Sequence, residues 1–320
     1  MSPLEKQHRW KIAAAFACVY VLWGSTYLAM RIVVEHIPPA MMGGIRFLAS
    51  GGIMMAWCAL SGRTLRVTRA EFIRLAMIGV LLLGTGNVMV AWGEQYVPSG
   101  LAALVVAAVP LWVALIESFI LKSERLSSRG MLGLAVGAVG LGVLLWPQLR
   151  TSSGVGHAEL FGCLGLIFAA LSWASGSILS RRSQLNLDPF TATAYEMTIA
   201  GVVNMVFSVL HGDVAHTVLT ARGLGAIAYL VTGGSLIGFT AYIWLLDHVP
   251  TSKVATYAYV NPIVAVALGA LVLHETVDAW IVAGTAVIIG GVVLVTTSKI
   301  HPGDENMPAK TQLPACEAEG

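Results

Sequence analysis

Polar and aromatic residues occur inside long apolar stretches of this sequence. They are the residues whose side chains could bind a small molecule there. Trp23 lies near the middle of one stretch with Ser25 and Tyr27 beside it, and Trp173 lies in another with Ser177 nearby. An aromatic wall with neighbouring hydroxyl groups suits a solute that has both apolar and polar parts. The alternative is that both tryptophans pack against other helices while the serines bond back to carbonyls of their own helix.

Arg46 and Glu196 are charged residues within two of the apolar stretches. A charge that faces lipid costs at least about 2.5–3.5 kcal/mol, so we expect both side chains to point into the protein. We expect them to face opposite vestibules of one pathway, where Arg46 attracts carboxylates and Glu196 attracts amines or a coupling proton. The alternative is that each side chain hydrogen-bonds to neighbouring helices.

Further polar groups complete the set of candidate cavity residues. They are Asn87, Tyr242, Tyr257, Tyr259 and Asn261. Pro110 and Pro262 fall near the middle of two other helical stretches, where proline opens the hydrogen-bond ladder and favours a kink. Both prolines are hinge candidates for a gating motion, with static helix curvature as the alternative.

Two carboxylates near the ends of apolar stretches are expected to have structural roles. Glu94 lies within about a turn of such an end, from which its side chain is expected to reach the lipid headgroups. Glu275 precedes the last stretch, where a carboxylate suits the N-terminus of the helix that follows.

The composition excludes several classes of protein. Hydrophobic residues make up 57% of the 320 residues and charged residues only 11%, whereas a soluble chain averages about 25% charged. The basic residues do not form the aromatic-lined groove that nucleic acid needs, and the four cysteines lack metal-binding or disulfide spacing. HExxH, GxSxG and Walker motifs are missing, so we expect no catalytic residues, no metal and no cofactor.

A hydrocarbon core about 30 Å thick needs roughly 20 apolar residues per helix. This length predicts an all-α membrane protein with ten transmembrane helices. They lie near residues 12–34, 40–60, 75–96, 99–121, 130–147, 158–180, 190–210, 223–246, 252–273 and 279–298. Residues 1–11 form a short N-terminal segment, and residues 299–320 are polar and are expected to be disordered.

The distribution of basic residues predicts the orientation. With the N-terminus in the cytoplasm, fifteen of the 19 Lys and Arg residues fall on the cytoplasmic side, as the positive-inside rule requires. Both termini are therefore predicted to be cytoplasmic in a multi-pass protein of the cytoplasmic membrane.

The two halves of the sequence repeat each other. An offset of 150 residues aligns Trp23 with Trp173 and Arg46 with Glu196, and an offset of 152 then aligns Pro110 with Pro262. We therefore predict two five-helix repeats, 12–147 and 158–298. Because five is odd, the second copy enters the membrane from the opposite face, so the repeats are inverted, a topology typical of alternating-access transporters.

Small residues also recur at helix-packing distance in the fifth and tenth predicted helices. They are Gly130, Gly133, Gly137 and Gly140 in one helix and Gly284, Gly290 and Gly291 in the other. Glycines at this spacing let helix backbones approach closely. These helices are therefore expected to pack together as a scaffold or to form the face of a homodimer.

Four short segments resemble those of a known family. They are residues 23–27 (WGSTY), 44–48 (GIRFL), 97–100 (VPSG) and 257–262 (YAYVNP). The chain is similar over residues 12–298 to the ten-helix EamA-type exporters of the drug/metabolite transporter superfamily, and most of all to their YedA-like bacterial branch.

The resemblance implies export of amino acids, metabolites or drug-like compounds across the inner membrane through a cavity between the halves. The expected partners are a small-molecule solute and membrane lipid, with a proton as the ion for any coupling and Glu196 as its candidate carrier. A passive channel-like facilitator and a lipid scramblase of the same architecture remain alternatives. Both a monomer and a homodimer are compatible with the sequence.

Overall fold

The computed structural model describes residues 3–122, 124–150, 154–249, 254, 256–298 and 300–302. In this part of the chain ten helices form one bundle. They are α1 (Pro3–Val34), α2 (Pro39–Leu60), α3 (Arg69–Gly79, Val80–Asn87 and Val88–Gly93), α4 (Ser99–Val106, Val109–Leu115 and Ile116–Ile120), α5 (Ser128–Arg150), α6 (Gly154–Ser183), α7 (Pro189–His211), α8 (Ala221–Tyr229, Leu230–Ile237 and Gly238–His248), α9 (Tyr257–Val272) and α10 (Ala279–Thr296). A 3₁₀ turn (Asp213–His216) and two short antiparallel strands, β1 (Glu124–Leu126) and β2 (Ile300–Pro302), complete the elements.

Local sequence explains where several helices begin. Pro39 and Pro189 occupy the first turns of α2 and α7, where the missing N–H has no helical partner. α3 begins earlier than its apolar stretch predicts because Thr68 and Glu71 form a capping box ahead of the hydrophobic residues. Most of the polar segment 299–320 lies outside the described part of the chain.

Among the described residues, α3, α4 and α8 contain a π-helical segment, and the segments of α3 and α8 lie within two residues of matching places in the two halves. Val80–Asn87 lies within α3, and Leu230–Ile237 lies within α8, 150 residues further along. π-helical turns are rare, often lie at functional sites, and redirect the side chains and carbonyls of a helix. Their recurrence at one offset is structural support for the duplication.

Contacts between loops divide the bundle into two faces. On the His36 face, the α7–α8 loop bonds to the α1–α2 loop (Val218 N–H to His36 O, 2.9 Å), and Glu275 bonds to the start of α4. On the Arg63 face, Arg63 pairs with Asp188 of the α6–α7 loop and β1 pairs with β2. α1 therefore runs from the Arg63 face to the His36 face, while its counterpart α6 ends on the Arg63 face, which confirms that the two repeats are inverted.

Helix packing has the same symmetry. α2 packs along α7, α5 along α10 and α4 along α9, so each of these helices contacts its own counterpart. α1 contacts α8 and α9, and its counterpart α6 contacts α3 and α4. This set of contacts is unchanged when the two copies are exchanged, as a two-fold axis in the membrane plane requires.

The predicted packing of α5 against α10 is confirmed. A Cβ atom added at Gly291 of α10 would lie 2.5 Å from the backbone N of Gly137 in α5. A Cβ added at Gly140 of α5 would lie 2.8 Å from the backbone N of Ile288 in α10. The two backbones thus touch through glycine, as in other closely packed membrane helices.

The outer surface suits a lipid environment. In the described residues, nine helices are long and apolar enough to cross a membrane, and Val260–Val272 forms a shorter apolar helix. Large apolar side chains such as Phe168, Phe207 and Leu271 are more than half exposed on the outside of the bundle. In water these side chains would be unfavourable, whereas in hydrocarbon they are solvated. The molecule is an all-α, multi-pass integral membrane protein.

Candidate functional site

A cavity of about 140 Å³ lies in the middle of the bundle and is lined by residues of both halves. This volume is well above the roughly 10–15 Å³ that a cavity needs to hold one water. Seven of the sequence-predicted cavity residues and both hinge candidates line it: Trp23, Tyr27, Arg46, Asn87, Trp173, Tyr257, Asn261, Pro110 and Pro262. The other described residues that line the cavity are mainly apolar, such as Leu83 and Phe239.

Arg46 supplies the fixed charge of the cavity. Its side chain is almost fully buried, and its Nε donates to Ser235 Oγ at 3.0 Å while Nη1 donates to Asn87 Oδ1 at 3.1 Å. These neutral acceptors orient the guanidinium without cancelling its charge. The N–H groups on Nη2 have no hydrogen-bond partner among the described residues. Among the described lining residues none is acidic, so the cavity carries a net positive charge.

The π-helical segments of α3 and α8 hold Arg46 from opposite halves of the molecule. Asn87 ends the segment in α3, and Ser235 lies within the segment in α8. Ser235 was not among the predicted site residues, although a buried arginine demands acceptors. The distance between α2 and α8 cannot be read from the sequence, so the need for an acceptor did not identify which hydroxyl group supplies it.

Trp23 forms the aromatic side of the site. Its ring centroid lies 5.2 Å from that of Phe239 and 5.1 Å from those of Tyr242 and Tyr257. Its Nε1 donates at 3.1 Å to the carbonyl of Gly234, in the π-helical segment of α8. The indole is therefore fixed in position by one hydrogen bond, by the edge-on rings of Phe239 and Tyr257 and by the tilted ring of Tyr242.

The two tryptophans contact the opposite halves in the same way. A Cβ added at Gly238 would lie 2.5 Å from Nε1 of Trp23, and a Cβ added at Gly86 would lie 3.3 Å from Cε3 of Trp173. Each tryptophan thus packs against a glycine of the other repeat, and Gly86 and Gly238 occupy equivalent positions in the two repeats. Trp173 packs against Phe47, Leu83 and Met197 instead of a cluster of tyrosines.

Four predicted residues lie away from the cavity lining. Ser25 donates to the Val21 carbonyl and lies within hydrogen-bond distance of the Tyr229 hydroxyl, and Ser177 donates to the Trp173 carbonyl at 2.8 Å. Tyr242 packs behind Trp23 as part of the aromatic cluster. Glu196 is partly buried where α7 crosses Gly79 of α3, so the structure does not bring it to Arg46. The side chain of Tyr259 lies outside the described part of the chain.

The two hinge candidates differ in their local backbone. In α4 the helix is interrupted at Ala107 and Ala108, and a new helical segment begins at Val109 with Pro110 in its first turn. Pro262 lies inside the helical run of α9. The break therefore lies beside the cavity, because Ala107 and Pro110 both line it.

The expected structural roles of two carboxylates are wrong in detail. Glu94 is fully buried, so its carboxyl group does not reach lipid headgroups. Glu275 does bind a helix N-terminus, but that of α4 in the other half: its carboxylate accepts from Ser99 N at 2.8 Å, Ser99 Oγ at 3.0 Å and Gly100 N at 3.2 Å. Whether a side chain is buried depends on which helices pack against it, so burial cannot be predicted from the distance between a residue and the end of its own helix.

The described residues contain no group of three or more His, Cys, Asp or Glu side chains that could hold a metal ion. The charged and polar groups of the cavity are instead an arginine, asparagines and tyrosines, which bind organic solutes through hydrogen bonds. The cavity at the interface of the two inverted repeats is therefore the candidate binding site for a small molecule.

Known proteins share this architecture and much of this sequence. The inner membrane transporter YedA of Escherichia coli is 39% identical over 289 residues, covering 89% of this chain and 90% of that protein. The transporter YoaV of Bacillus subtilis is 25% identical over 89% of this chain and 97% of its own length. A solved crystal structure superposes with a TM-score of 0.63 at 19% identity, over 90% of this chain and 98% of that one, which shows the same fold.

The EamA-like transporter family matches residues 10–146 and 160–297, one match for each five-helix unit. Together with the identity to YedA, this match makes the chain a multi-pass transporter of the cytoplasmic membrane, in a family of transporters and not of enzymes. Small-molecule solutes and membrane lipid are therefore its partners. The chain belongs to the EamA-like transporter family.

Proposed function

We propose that the protein exports small organic solutes that carry an acidic group and an apolar body, such as amino acids and related metabolites, by alternating access. The observation that supports this proposal is the charge of the central cavity, where Arg46 has no acidic neighbour among the described lining residues. A solute carboxylate at the guanidinium neutralises the charge, and a guanidinium is well matched to carboxylate geometry.

The aromatic residues of the cavity support the apolar part of the proposed substrate. Trp23, Phe239 and Tyr257 present ring faces and edges, and the π-segment carbonyl fixes the indole so that it needs no rearrangement to bind a solute. The cavity volume admits one small molecule and excludes the headgroup of a phospholipid with its chains. This favours a solute transporter over a lipid scramblase.

Alternating access requires the cavity to open to one face at a time. The backbone break ahead of Pro110, and the placement of both prolines on the cavity wall, offer a point at which α4 and α9 can bend. The inverted repeats supply two equivalent arrangements, in which the faces exchange roles. A passive channel lacks this exchange and shows no stimulation by solute on the far side.

Flux into proteoliposomes tests the proposal. The probes are radiolabelled leucine, phenylalanine, phenylalanine amide, benzoate and tetraphenylphosphonium. We expect saturable flux of the acids, accelerated when the far side is loaded with unlabelled acid, and little flux of the amide or the cation. Equal flux of phenylalanine and its amide would contradict the acidic-group requirement, and no flux above empty liposomes would contradict the transport of these solutes altogether.

The Arg46→Met variant tests the residue that carries the proposal. One charge-assisted hydrogen bond is worth about 1.5–3 kcal/mol, and about 1.4 kcal/mol corresponds to a tenfold change in affinity. We therefore expect at least about a tenfold loss of affinity for the acids, with partial recovery in Arg46→Lys. Arg222→Met, at an exposed position near the start of α8, is the matched control and is expected to transport normally.

A further inference from the structure

Glu94 has a buried carboxyl group that the proposed solute site does not use. Its side chain is 0% exposed, and neither Oε1 nor Oε2 has a hydrogen-bond partner among the described residues. It lies at the end of α3, four residues beyond Val90 and seven beyond Asn87, both of which line the cavity. This spacing places the three side chains on one face of the helix, with Glu94 about 6 Å beyond the cavity wall along the helix axis.

The charged and titratable groups near Glu94 come from two other elements. Arg31 and Tyr27 on α1 and Glu275 ahead of α10 interact electrostatically with its carboxyl group. Arg31 does not pair with the carboxyl oxygens, because its Nη1 donates to the backbone carbonyl of Glu94 instead. Tyr27 lines the cavity, so it connects the solute site to this carboxyl group.

Glu94 and Glu275 have opposite environments although they lie close together. Glu275 accepts three hydrogen bonds at the N-terminus of α4, where the helix dipole favours a negative charge. Glu94 receives no hydrogen bond from a described residue, and it lies at the C-terminus of α3, where the dipole opposes a negative charge. A buried carboxyl group that lacks hydrogen bonds and lies at the negative end of a helix dipole is more stable in its protonated form.

We propose that Glu94 is the proton-carrying group of the transport cycle, protonated while the His36 face is closed and ionised once that face opens. This inference rests on the proposed function. On opening, the O–H bond of the carboxylic acid breaks, the proton passes to water on the His36 face, and the carboxylate keeps the electron pair. Arg31, released from the Glu94 carbonyl, is the counter-ion of that carboxylate. Once the His36 face has closed and the Arg63 face has opened, the carboxylate is reprotonated from the Arg63 face through the cavity, so each cycle moves one proton between the two faces.

The position of Glu94 gives a reason for coupling to the solute. Opening the His36 face must part the contact between Glu275 and the start of α4, beside which Glu94 is buried. Water that reaches the solute from this face therefore also reaches Glu94. Glu196, the carboxylate expected from the sequence to carry a proton, lies off the cavity lining and is only partly buried.

Infrared difference spectroscopy of the purified protein near neutral pH tests directly whether Glu94 is protonated. The carbonyl stretch of a protonated carboxylic acid is expected in the wild type and is expected to be lost in Glu94→Gln. Glu35→Gln removes an exposed carboxylate on the same face and should keep the band. Thermal stability of Glu94→Gln should match the wild type, since glutamine resembles the neutral acid. An unchanged band in Glu94→Gln would overturn the proposal.

Flux measurements with and without an imposed pH gradient test the coupling. With phenylalanine and benzoate as probes, the gradient should drive accumulation by the wild type and by Glu35→Gln, whereas Glu94→Gln should equilibrate these solutes without accumulating them. Wild-type flux that ignores the gradient would overturn the coupling while leaving the proposed function intact. No flux of any solute would overturn the proposed function and the coupling with it, and the infrared band would still decide whether Glu94 holds a proton.

Discussion

Gly291 and Gly290 in α10 are adjacent glycines whose replacement by alanine should have opposite effects. A Cβ at Gly291 would lie 2.5 Å from N and 2.7 Å from Cα of Gly137, and 2.9 Å from the carbonyl O of Gly133. These are backbone atoms of α5, which no side-chain rotation can move. Restoring an ordinary contact near 3.4 Å requires the helices to separate by about 1 Å, and overpacking of this kind costs about 1–3 kcal/mol.

Gly290 is the matched control, because a Cβ there would meet nothing within 4 Å. Alanine at this position removes glycine's unfavourable helix propensity of about 0.5–1 kcal/mol and adds no clash. Thermal denaturation in detergent, followed by loss of the monodisperse peak, should therefore rank Gly290→Ala at or above the wild type and Gly291→Ala below it. Equal midpoints for the two variants would refute the inferred backbone contact between α5 and α10.

Two further substitutions test contacts between the halves. Glu275→Gln should lower stability by about 0.5–2 kcal/mol in the same assay, because one of its two acceptor oxygens at the start of α4 is lost. Asp278→Asn, at an exposed helix cap, is the control and should have a smaller effect. A larger loss of stability in Asp278→Asn than in Glu275→Gln would contradict the role of Glu275. Gly238→Ala should reduce solute flux, because the added methyl group displaces Trp23. Gly225→Ala is the control and should transport normally, because a Cβ there meets nothing within 4 Å. Equal flux by the two variants would show that transport does not need the observed position of the indole.

The sequence was sufficient to predict features that depend on length, hydropathy and spacing. The ten apolar stretches of helical length correspond to the ten helices of the structure. Trp23 and Trp173, which the 150-residue offset aligns, occupy equivalent positions and each contacts a glycine of the opposite repeat. Turn prolines were also informative, since Pro39 and Pro189 begin helices. These features are local or periodic, so they do not require knowledge of how distant helices pack.

Side-chain contacts between distant helices were not predictable in the same way. The choice of Ser235 as an Arg46 acceptor depends on the path of α8 through its π-helical segment, and no short motif marks that segment. The burial of Glu94 likewise depends on how α1, α2 and α6 pack against the end of α3. The sequence showed that Arg46 and Glu196 needed protein partners, but it did not show that only Arg46 lines the cavity.

The duplicated framework and the asymmetric site have different physical roles. Exchanging the two repeats preserves the helix contacts, the π-helical segments and the tryptophan–glycine contacts, so the backbone has two equivalent arrangements available to it. The same exchange replaces Arg46 with Glu196 and the tyrosine cluster around Trp23 with the apolar contacts of Trp173. A fully symmetric site would give the cavity two like charges, whose repulsion opposes each other's burial. Divergence at these few positions leaves one guanidinium among neutral lining residues. Under the proposed function, the repeat provides the alternating movement and the departures from it select the solute.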